Sequence, residues 1–185
     1  MVNIHKEKDL IRQQVVLKKK KYTSDELYSR SLEVLDIVEI TGAFQSAKTI
    51  FIYNALADEV QTSDFIRKWS DTKDFYLPVV VDENIVFRSC TSSIALKQSS
   101  LGIMEPVGEN FTDYDRVDLV IVPGVAFDRN KNRMGRGRGF YDRFLPKIKA
   151  PKMGICFDFQ LLDKIPVDKN DIKMDFIVSE NDFIW

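Results

Sequence analysis

The sequence predicts an α/β fold with a mostly parallel sheet, and three observations lead to that prediction. Residues 48–56 and 117–122 are apolar and rich in β-branched side chains, which is typical of strands buried inside a sheet. Segments with apolar residues at helical spacing precede and separate the strand-like segments. This alternation is typical of parallel sheets covered by helices. We expect a single domain over residues 1–185, because no repeat or linker-like tract interrupts the chain.

Two helices are predicted at the start of the chain. Residues 3–20 place apolar side chains at helical spacing. Thr23 followed by Glu26 forms a capping-box pattern, which predicts that a second helix covers residues 24–41. Gly42 is then expected to end that helix.

The remaining elements are predicted from composition and turn residues. After the strand at 48–56 we expect, in order, a short helix that begins at Thr62 or Ser63, two strands at 75–81 and 85–90 near a sheet edge, and a long loop or lid at 91–116. The strand at 117–122 stops at Pro123 and Gly124, and a helix is expected to begin near Gly139 or Phe140 and to end before Pro151. Residues 152–157 and 176–178 supply two late strands.

Composition excludes several classes of function. The 27 basic and 28 acidic residues leave a formal charge of -1, so no general basic field favours nucleic acid or an anionic membrane as a partner. No apolar run approaches the roughly 20 residues that span a bilayer, and the charged amino terminus is unlike a signal peptide. Cys90 and Cys156 are far apart in apolar segments, which is typical of reduced core thiols. We expect a cytoplasmic monomer that binds neither nucleic acid nor membrane.

The most specific feature is a loop that we call the glycine–arginine loop, residues 134–143 (MGRGRGFYDR). Its three glycines allow backbone amides to approach a ligand, and its arginines supply fixed positive charge, so a polyphosphate is the expected ligand. The loop follows a predicted central strand and enters a helix, and the carboxyl ends of parallel strands are where α/β folds bind ligands. The amino terminus of that helix is also expected to attract anions.

Several other kinds of loop share features with this one. A Walker A loop is excluded, because no Lys-Ser or Lys-Thr follows a glycine at the required spacing. A dinucleotide fingerprint is a poor match, because Phe140 stands where the third glycine belongs. RNA-binding arginine–glycine segments are usually repeated and disordered, whereas this one is single. A plain surface turn with solvated arginines remains an alternative, and Asp142 could either face phosphates through magnesium or pair with the arginines.

Residues 122–128 (VPGVAFD) and 132–143 (NRMGRGRGFYDR) resemble the signature of the 5-formyltetrahydrofolate cyclo-ligase family. Further pieces that resemble the family follow in the same order along the chain, at residues 8–12, 58–60, 102–106 and 165–175. The resemblance implies a three-layer α/β/α sandwich with a Rossmann-like sheet. It also implies ATP-driven conversion of 5-formyltetrahydrofolate to 5,10-methenyltetrahydrofolate with release of ADP and phosphate, and Mg²⁺ as the cofactor. A different small-molecule kinase or ligase is the alternative that keeps the phosphate loop.

The resemblance also implies roles for individual residues. The residues expected to bind ATP are Lys8, Arg12, Arg133, Met134, Gly135, Arg136, Gly137, Arg138, Gly139, Phe140 and Tyr141. Those expected to act in catalysis are Arg136 and Arg138, which face phosphates, and Asp142; Asp142 and Asp175 are the expected magnesium carboxylates. Those expected to bind the folate are Asn54, Glu59 and Phe140. Without the resemblance, Lys8 and Arg12 would be interpreted as solvated and Glu59 as the start of a loop. Many relatives have an aromatic residue in place of Arg136 and Gly or Lys in place of Arg138, so this loop is unusually basic.

Overall fold

The computed structural model describes residues 4–90, 96–98 and 104–185, with five helices and twelve strands in those ranges. The helices are α1 (Ile4–Lys19), α2 (Ser24–Ile40), α3 (Gly42–Ser46), α4 (Ser63–Trp69) and α5 (Phe140–Phe144). The strands are β1 (Thr49–Phe51), β2 (Asp74–Val81), β3 (Asn84–Ser89), β4 (Leu96–Gln98), β5 (Met104–Pro106), β6 (Leu119–Val122), β7 (Ala126–Asp128), β8 (Arg133–Met134), β9 (Lys152–Ile155), β10 (Leu161–Leu162), β11 (Phe176–Val178) and β12 (Phe183–Ile184). Short 3₁₀ turns cover Tyr114–Arg116, Leu145–Lys147 and Asp158–Gln160.

The main sheet has seven strands in the order β12-β11-β9-β6-β1-β2-β3. The five inner strands are parallel to one another, and β3 and β12 run antiparallel at the two edges. The prediction of a mostly parallel sheet is therefore confirmed. The predicted pair of strands near an edge is also confirmed, because β2 and β3 form a hairpin whose second strand is the edge strand.

Helices cover both faces of this sheet. Successive residues of a strand point to opposite faces, and β6 shows the consequence. Ile121 packs in a core cluster with Val34 of α2 and Phe65 of α4, whereas Val120 packs in a second cluster with Phe144 of α5. The three-layer arrangement expected from the resemblance is confirmed.

A second, three-stranded sheet in the order β10-β7-β8 was not predicted. Val15 of α1 packs in a third core cluster with Ala126 of β7 and Met134 of β8. This cluster fixes the first helix beside the glycine–arginine loop, because β8 leads directly into that loop.

The helical ends differ from the predictions for local reasons. The Thr23–Glu26 capping box is present as predicted. Gly42, however, begins α3, because Thr41 breaks the helix with an extended conformation and its side chain accepts a hydrogen bond from the Phe44 amide. The predicted helix before Pro151 is confined to α5 and one 3₁₀ turn, where Pro146 lacks the N–H that an α-helix requires.

The predicted strands are longer than the observed ones. The strand predicted at 48–56 spans only β1, and the one predicted at 117–122 begins at Leu119 because Val117 closes a 3₁₀ turn. The segment predicted as a loop or lid contains the antiparallel pair β4 and β5, and its residues 91–95 and 99–103 lie outside the described ranges. None of the helices in the described ranges is long and apolar enough to cross a membrane.

Candidate active site

The candidate site lies at the carboxyl ends of β1 and β6, in the middle of the parallel sheet. From β1 the chain moves to β2 on one side, and it later returns to place β6 on the other side. Such a reversal leaves a crevice beyond the strand ends, and α/β folds bind ligands there. Tyr53 and Asn54 follow β1, and Pro123 and Gly124 follow β6; all four line one cavity.

The glycine–arginine loop crosses this edge of the sheet between β8 and α5. Gly137 has a φ of +95° and Gly139 a φ of +67°, both in the left-handed region that favours glycine. Gly139 is the residue that directly precedes α5. The helix α5 has only five residues, so it is shorter than the predicted helix.

A first cavity of about 300 Å³ lies on one side of the loop. Leu56, Val80 and Ile85 supply apolar wall, and Glu59 contributes a carboxylate. Phe140 also lines this cavity and packs against the core beneath it, so both predicted roles of its ring are compatible with the structure. A flat, largely apolar molecule with a few polar edge atoms fits such a lining.

Arg136 reaches across the first cavity to the loop that follows β1. Its Nη2 lies 2.7 Å from Asp58 Oδ1 and 2.9 Å from Glu59 Oε1, and its Nε lies 3.1 Å from the same Glu59 oxygen. The ammonium group of Lys19, at the end of α1, pairs with Asp58 Oδ2 at 3.1 Å. Burial raises the pKa of Asp58, but the charges of Lys19 and Arg136 outweigh it and hold that pKa below its usual value.

A buried arginine supports the wall beneath the loop. Arg133 is 3% exposed; its Nη2 donates to Asp142 Oδ1 at 2.7 Å and its Nη1 to the Pro123 carbonyl at 3.2 Å. Its guanidinium also lies over the ring of Tyr141, with 5.4 Å to the centroid. Burial raises the pKa of Tyr141 above its usual value. Asp142 thus pairs with an arginine, one of the two arrangements left open by the sequence.

A second cavity of about 620 Å³ lies on the other side of the loop. Lys8 donates from Nζ to Asp168 Oδ2 at 2.7 Å and to Asp171 Oδ2 at 2.5 Å. Burial lowers the pKa of Lys8, but these hydrogen bonds outweigh it and raise that pKa above its usual value. Arg12, one helical turn further along α1, donates from Nε to the Gly135 carbonyl at 3.0 Å. The resemblance implies that Lys8 and Arg12 reach ATP, and in the structure both line the second cavity, which loop residues also line.

The two cavities share one wall. Gly135, Gly139 and Asp142 line both of them. A chemical group of a ligand in one cavity that extends past Gly135, Gly139 and Asp142 therefore approaches a ligand in the other cavity. This arrangement fits a reaction in which a group is transferred between two bound small molecules.

The structure divides the predicted ATP-binding residues between the two cavities. Those lining the second cavity are Lys8, Arg12, Met134, Gly135, Gly137 and Gly139. Those lining the first are Arg133, Gly135, Arg136, Arg138, Gly139, Phe140 and Tyr141. Arg136 was expected to face phosphates, but its guanidinium is directed to two carboxylates because Asp58 and Glu59 lie within its reach. Arg138 is exposed at the rim of the first cavity.

The structure does not bring Asp175, the second expected magnesium carboxylate, into the cavities that Asp142 lines. Asp175 lies at the amino-terminal end of β11, where its Oδ2 accepts the Lys152 N–H at 2.8 Å, and it lines neither cavity. Asp171 instead lies in the wall of the second cavity with Asp142. Among the described residues, no group of three or more His, Cys, Asp or Glu side chains is arranged so that it could hold a metal ion.

Sequence reasoning missed several side chains of the second cavity, namely His5, Asp168, Asn170 and Asp171. The resemblance did include residues 165–175, but the metal role was given to the last carboxylate of that segment. Lys8 lies beside the turn that contains Asp168 and Asp171 only in the folded chain. No local sequence pattern therefore indicates that these residues share a cavity.

Fold and site together define a small-molecule-binding α/β protein in which two cavities meet at a glycine-rich loop. Comparison with known proteins gives the family. The chain belongs to the 5-formyltetrahydrofolate cyclo-ligase family of ligases, whose pattern matches residues 4–180. The family expected from the glycine–arginine loop is confirmed.

Individual relatives agree with this assignment. The chain is 28% identical to mouse 5-formyltetrahydrofolate cyclo-ligase, with 97% of each protein covered. It is 32% identical to the Escherichia coli K12 5-formyltetrahydrofolate cyclo-ligase over 75% of this chain and 81% of that protein. It also superimposes on the solution structure of Aquifex aeolicus 5,10-methenyltetrahydrofolate synthetase with a TM-score of 0.85, at 32% identity and over 95% of this chain and 91% of that one.

Proposed function

We propose that this protein converts 5-formyltetrahydrofolate to 5,10-methenyltetrahydrofolate with hydrolysis of ATP to ADP and phosphate. The observation that supports this most directly is the wall shared by the two cavities, formed by Gly135, Gly139 and Asp142. The largely apolar first cavity suits the pterin and formyl groups of a folate, and the polar second cavity suits a nucleotide. The names of the relatives support the substrate class, and the two adjoining cavities support two binding places.

The chemistry explains why two cavities must meet. The oxygen of the N5-formyl group is an amide-type oxygen and a poor leaving group. Transfer of the γ-phosphoryl group breaks its bond to ADP and forms a bond to the formyl oxygen. Folate N10 then attacks the formyl carbon, phosphate departs, N10 loses its proton and the ring closes. Catalysis is then mostly positioning and charge stabilisation.

The residues of this chain have distinct parts in that scheme. Gly137 and Gly139 hold the loop in a conformation that brings its backbone close to the γ-phosphoryl group. Lys8 and Arg12 stand beside the phosphates in the second cavity. Glu59, in the first cavity, accepts hydrogen bonds from the pterin edge. Asn54 lines the same cavity and is assigned to the folate.

Magnesium is part of the proposal, and the chemistry of the available donors fits it. Mg²⁺ is usually held by one or two carboxylates together with substrate phosphates and water. Asp142 and Asp171 offer two carboxylates to the second cavity. The ion would neutralise phosphate charge, and the hydrogen bond from Arg133 would fix the orientation of the Asp142 carboxylate.

The test is a product-forming assay with purified protein, ATP, MgCl₂ and 5-formyltetrahydrofolate. We expect the ultraviolet absorbance of the methenyl product to rise in parallel with ADP release. Reactions without ATP or without protein are the controls. ATP consumption that requires a different acceptor, with no methenyl product, would instead identify another small-molecule kinase or ligase.

A further inference from the structure

The carboxylate proposed to bind the pterin is already occupied. Glu59 Oε1 accepts two hydrogen bonds from Arg136, from Nε at 3.1 Å and from Nη2 at 2.9 Å, and Oε2 accepts the Leu56 N–H at 3.1 Å. The Glu59 side chain is only 12% exposed, so water has little access to it. A carboxylate has about four acceptor positions. Within the ranges that the structure describes, three of them are used, and the one that remains is on Oε2.

A pterin edge presents two adjacent donors, a ring N–H and an amino N–H. Two parallel hydrogen bonds to one carboxylate require a free position on each of its oxygens. Arg136 fills Oε1, so a folate cannot be held in this manner while the arginine remains in place. If the proposed function holds, substrate and Arg136 compete for Glu59.

A second carboxylate, that of Asp58, is placed to hold Arg136 after a folate displaces it from Glu59. Asp58 Oδ1 already accepts from Arg136 Nη2 at 2.7 Å. Asp58 is itself fixed, because the Lys19 ammonium pairs with its Oδ2 and also donates to its backbone carbonyl. Lys19 is buried at the end of α1, so this anchor belongs to the scaffold and not to the mobile surface.

We propose that Arg136 occupies Glu59 in place of the folate, that folate displaces it, and that Asp58 is the positioning residue that retains the displaced arginine. The inference rests on the proposed function, since it requires that Glu59 bind the pterin. The affinity for folate then depends on how strongly Arg136 competes with the folate for the Glu59 carboxylate. Arg136 thereby weakens folate binding although folate is an anion.

The test measures binding of 5-formyltetrahydrofolate by titration calorimetry without ATP. We expect Arg136→Met to bind the folate about two- to fivefold more tightly, the range that a partly exposed ion pair supports. We expect Asp58→Asn to bind it about two- to fivefold more weakly, because Arg136 then has Glu59 as its only anionic partner. If Arg136 and Asp58 only stabilised the structure, replacing either one would change the folate affinity in the same direction.

Arg138→Met is the matched control. It removes the same charge from the same loop, but the Arg138 guanidinium has no ion-pair partner within the described ranges. We expect its folate affinity to be equal or lower, because an anionic ligand loses a nearby positive charge. Thermal unfolding of each variant checks that the fold is retained.

Two results would overturn the proposal. Weaker folate binding by Arg136→Met than by Arg138→Met would show that Arg136 binds the substrate instead of competing with it. Unchanged or tighter binding by Asp58→Asn would show that Asp58 does not retain the arginine. Failure of the proposed function is distinguished by the wild-type product assay: a wild type that forms product while these variants behave contrary to expectation refutes the competition alone.

Discussion

The assignment of Asp171, and not Asp175, to the nucleotide side can be tested by replacing each with asparagine. Asp171 Oδ2 accepts from Lys8 Nζ at 2.5 Å and from the Asp168 N–H at 2.7 Å. A hydrogen bond to a charged group stabilises by about 1.5–3 kcal/mol. Because Lys8 keeps Asp168 and the asparagine oxygen still accepts, we expect Asp171→Asn to lower the free energy of unfolding by about 1–2 kcal/mol.

The effect on turnover should exceed the effect on stability. A carboxylate that contacts magnesium or phosphate-bound water contributes binding that asparagine does not replace, so we expect the magnesium–ATP Michaelis constant to rise at least about tenfold. The folate Michaelis constant should change much less, since Asp171 does not line the first cavity. Urea unfolding and initial rates at varied magnesium and ATP measure the two quantities.

Asp175→Asn is the matched control. Its carboxylate is exposed and accepts only the Lys152 N–H, so we expect a stability loss of about 0.5–1.5 kcal/mol and an unchanged magnesium–ATP Michaelis constant. If Asp175→Asn required more magnesium and Asp171→Asn did not, the assignment of Asp171 to the nucleotide site would be refuted.

Three further predictions concern the loop, the acid range and the folate carboxylate. Gly139→Ala should lose about 1–2 kcal/mol of stability, because its φ of +67° disfavours a Cβ, whereas Gly42→Ala, a helical position with open space around it, should be neutral or stabilising. The hydrogen bond from Lys8 holds the pKa of Asp168 below its usual value, so the stability that Asp168→Asn removes should be fully present above about pH 4 and should disappear as the pH falls through that lowered pKa. Glu59→Gln should raise the Michaelis constant for the folate about tenfold and leave that for ATP nearly unchanged, because glutamine offers one acceptor oxygen and a repelling N–H₂ group.

Each of these predictions has a contrary outcome. Equal stability of the two alanine variants in urea would show that the loop adopts another conformation at Gly139. If the difference in stability between the wild type and Asp168→Asn persisted at pH 2, it would not be due to ionisation of the Asp168 carboxyl group. A larger effect of Glu59→Gln on ATP than on folate, in initial-rate measurements, would move Glu59 to the other substrate.

The elements that could be predicted are those whose signals are local. The capping box at Thr23 and Glu26 and the apolar run of β6 depend on a few neighbouring residues, so their positions were recognised closely. Strands β7, β8 and β10 have only two or three residues each, which is too short to show an alternating pattern. Their sheet packs against α1, and that contact is not local in the sequence.

The same distinction explains the site. Residues Gly135 to Asp142 are contiguous in sequence, so their grouping in one loop could be predicted. The choice between Asp171 and Asp175 could not be made from spacing, because both follow the same polar turn and only the path into β11 turns Asp175 away. Arg136 was assigned to phosphate on its charge, whereas the structure decides its partner by the proximity of Asp58 and Glu59.

The wall formed by Gly135, Gly139 and Asp142 has a thermodynamic consequence. If one ligand favours a particular conformation of that wall, the free energies of binding of the two ligands are linked. Linkage is reciprocal: the factor by which ATP changes the affinity for folate equals the factor by which folate changes the affinity for ATP. A substitution in this wall that changes the coupling factor therefore changes it equally for ATP and for folate.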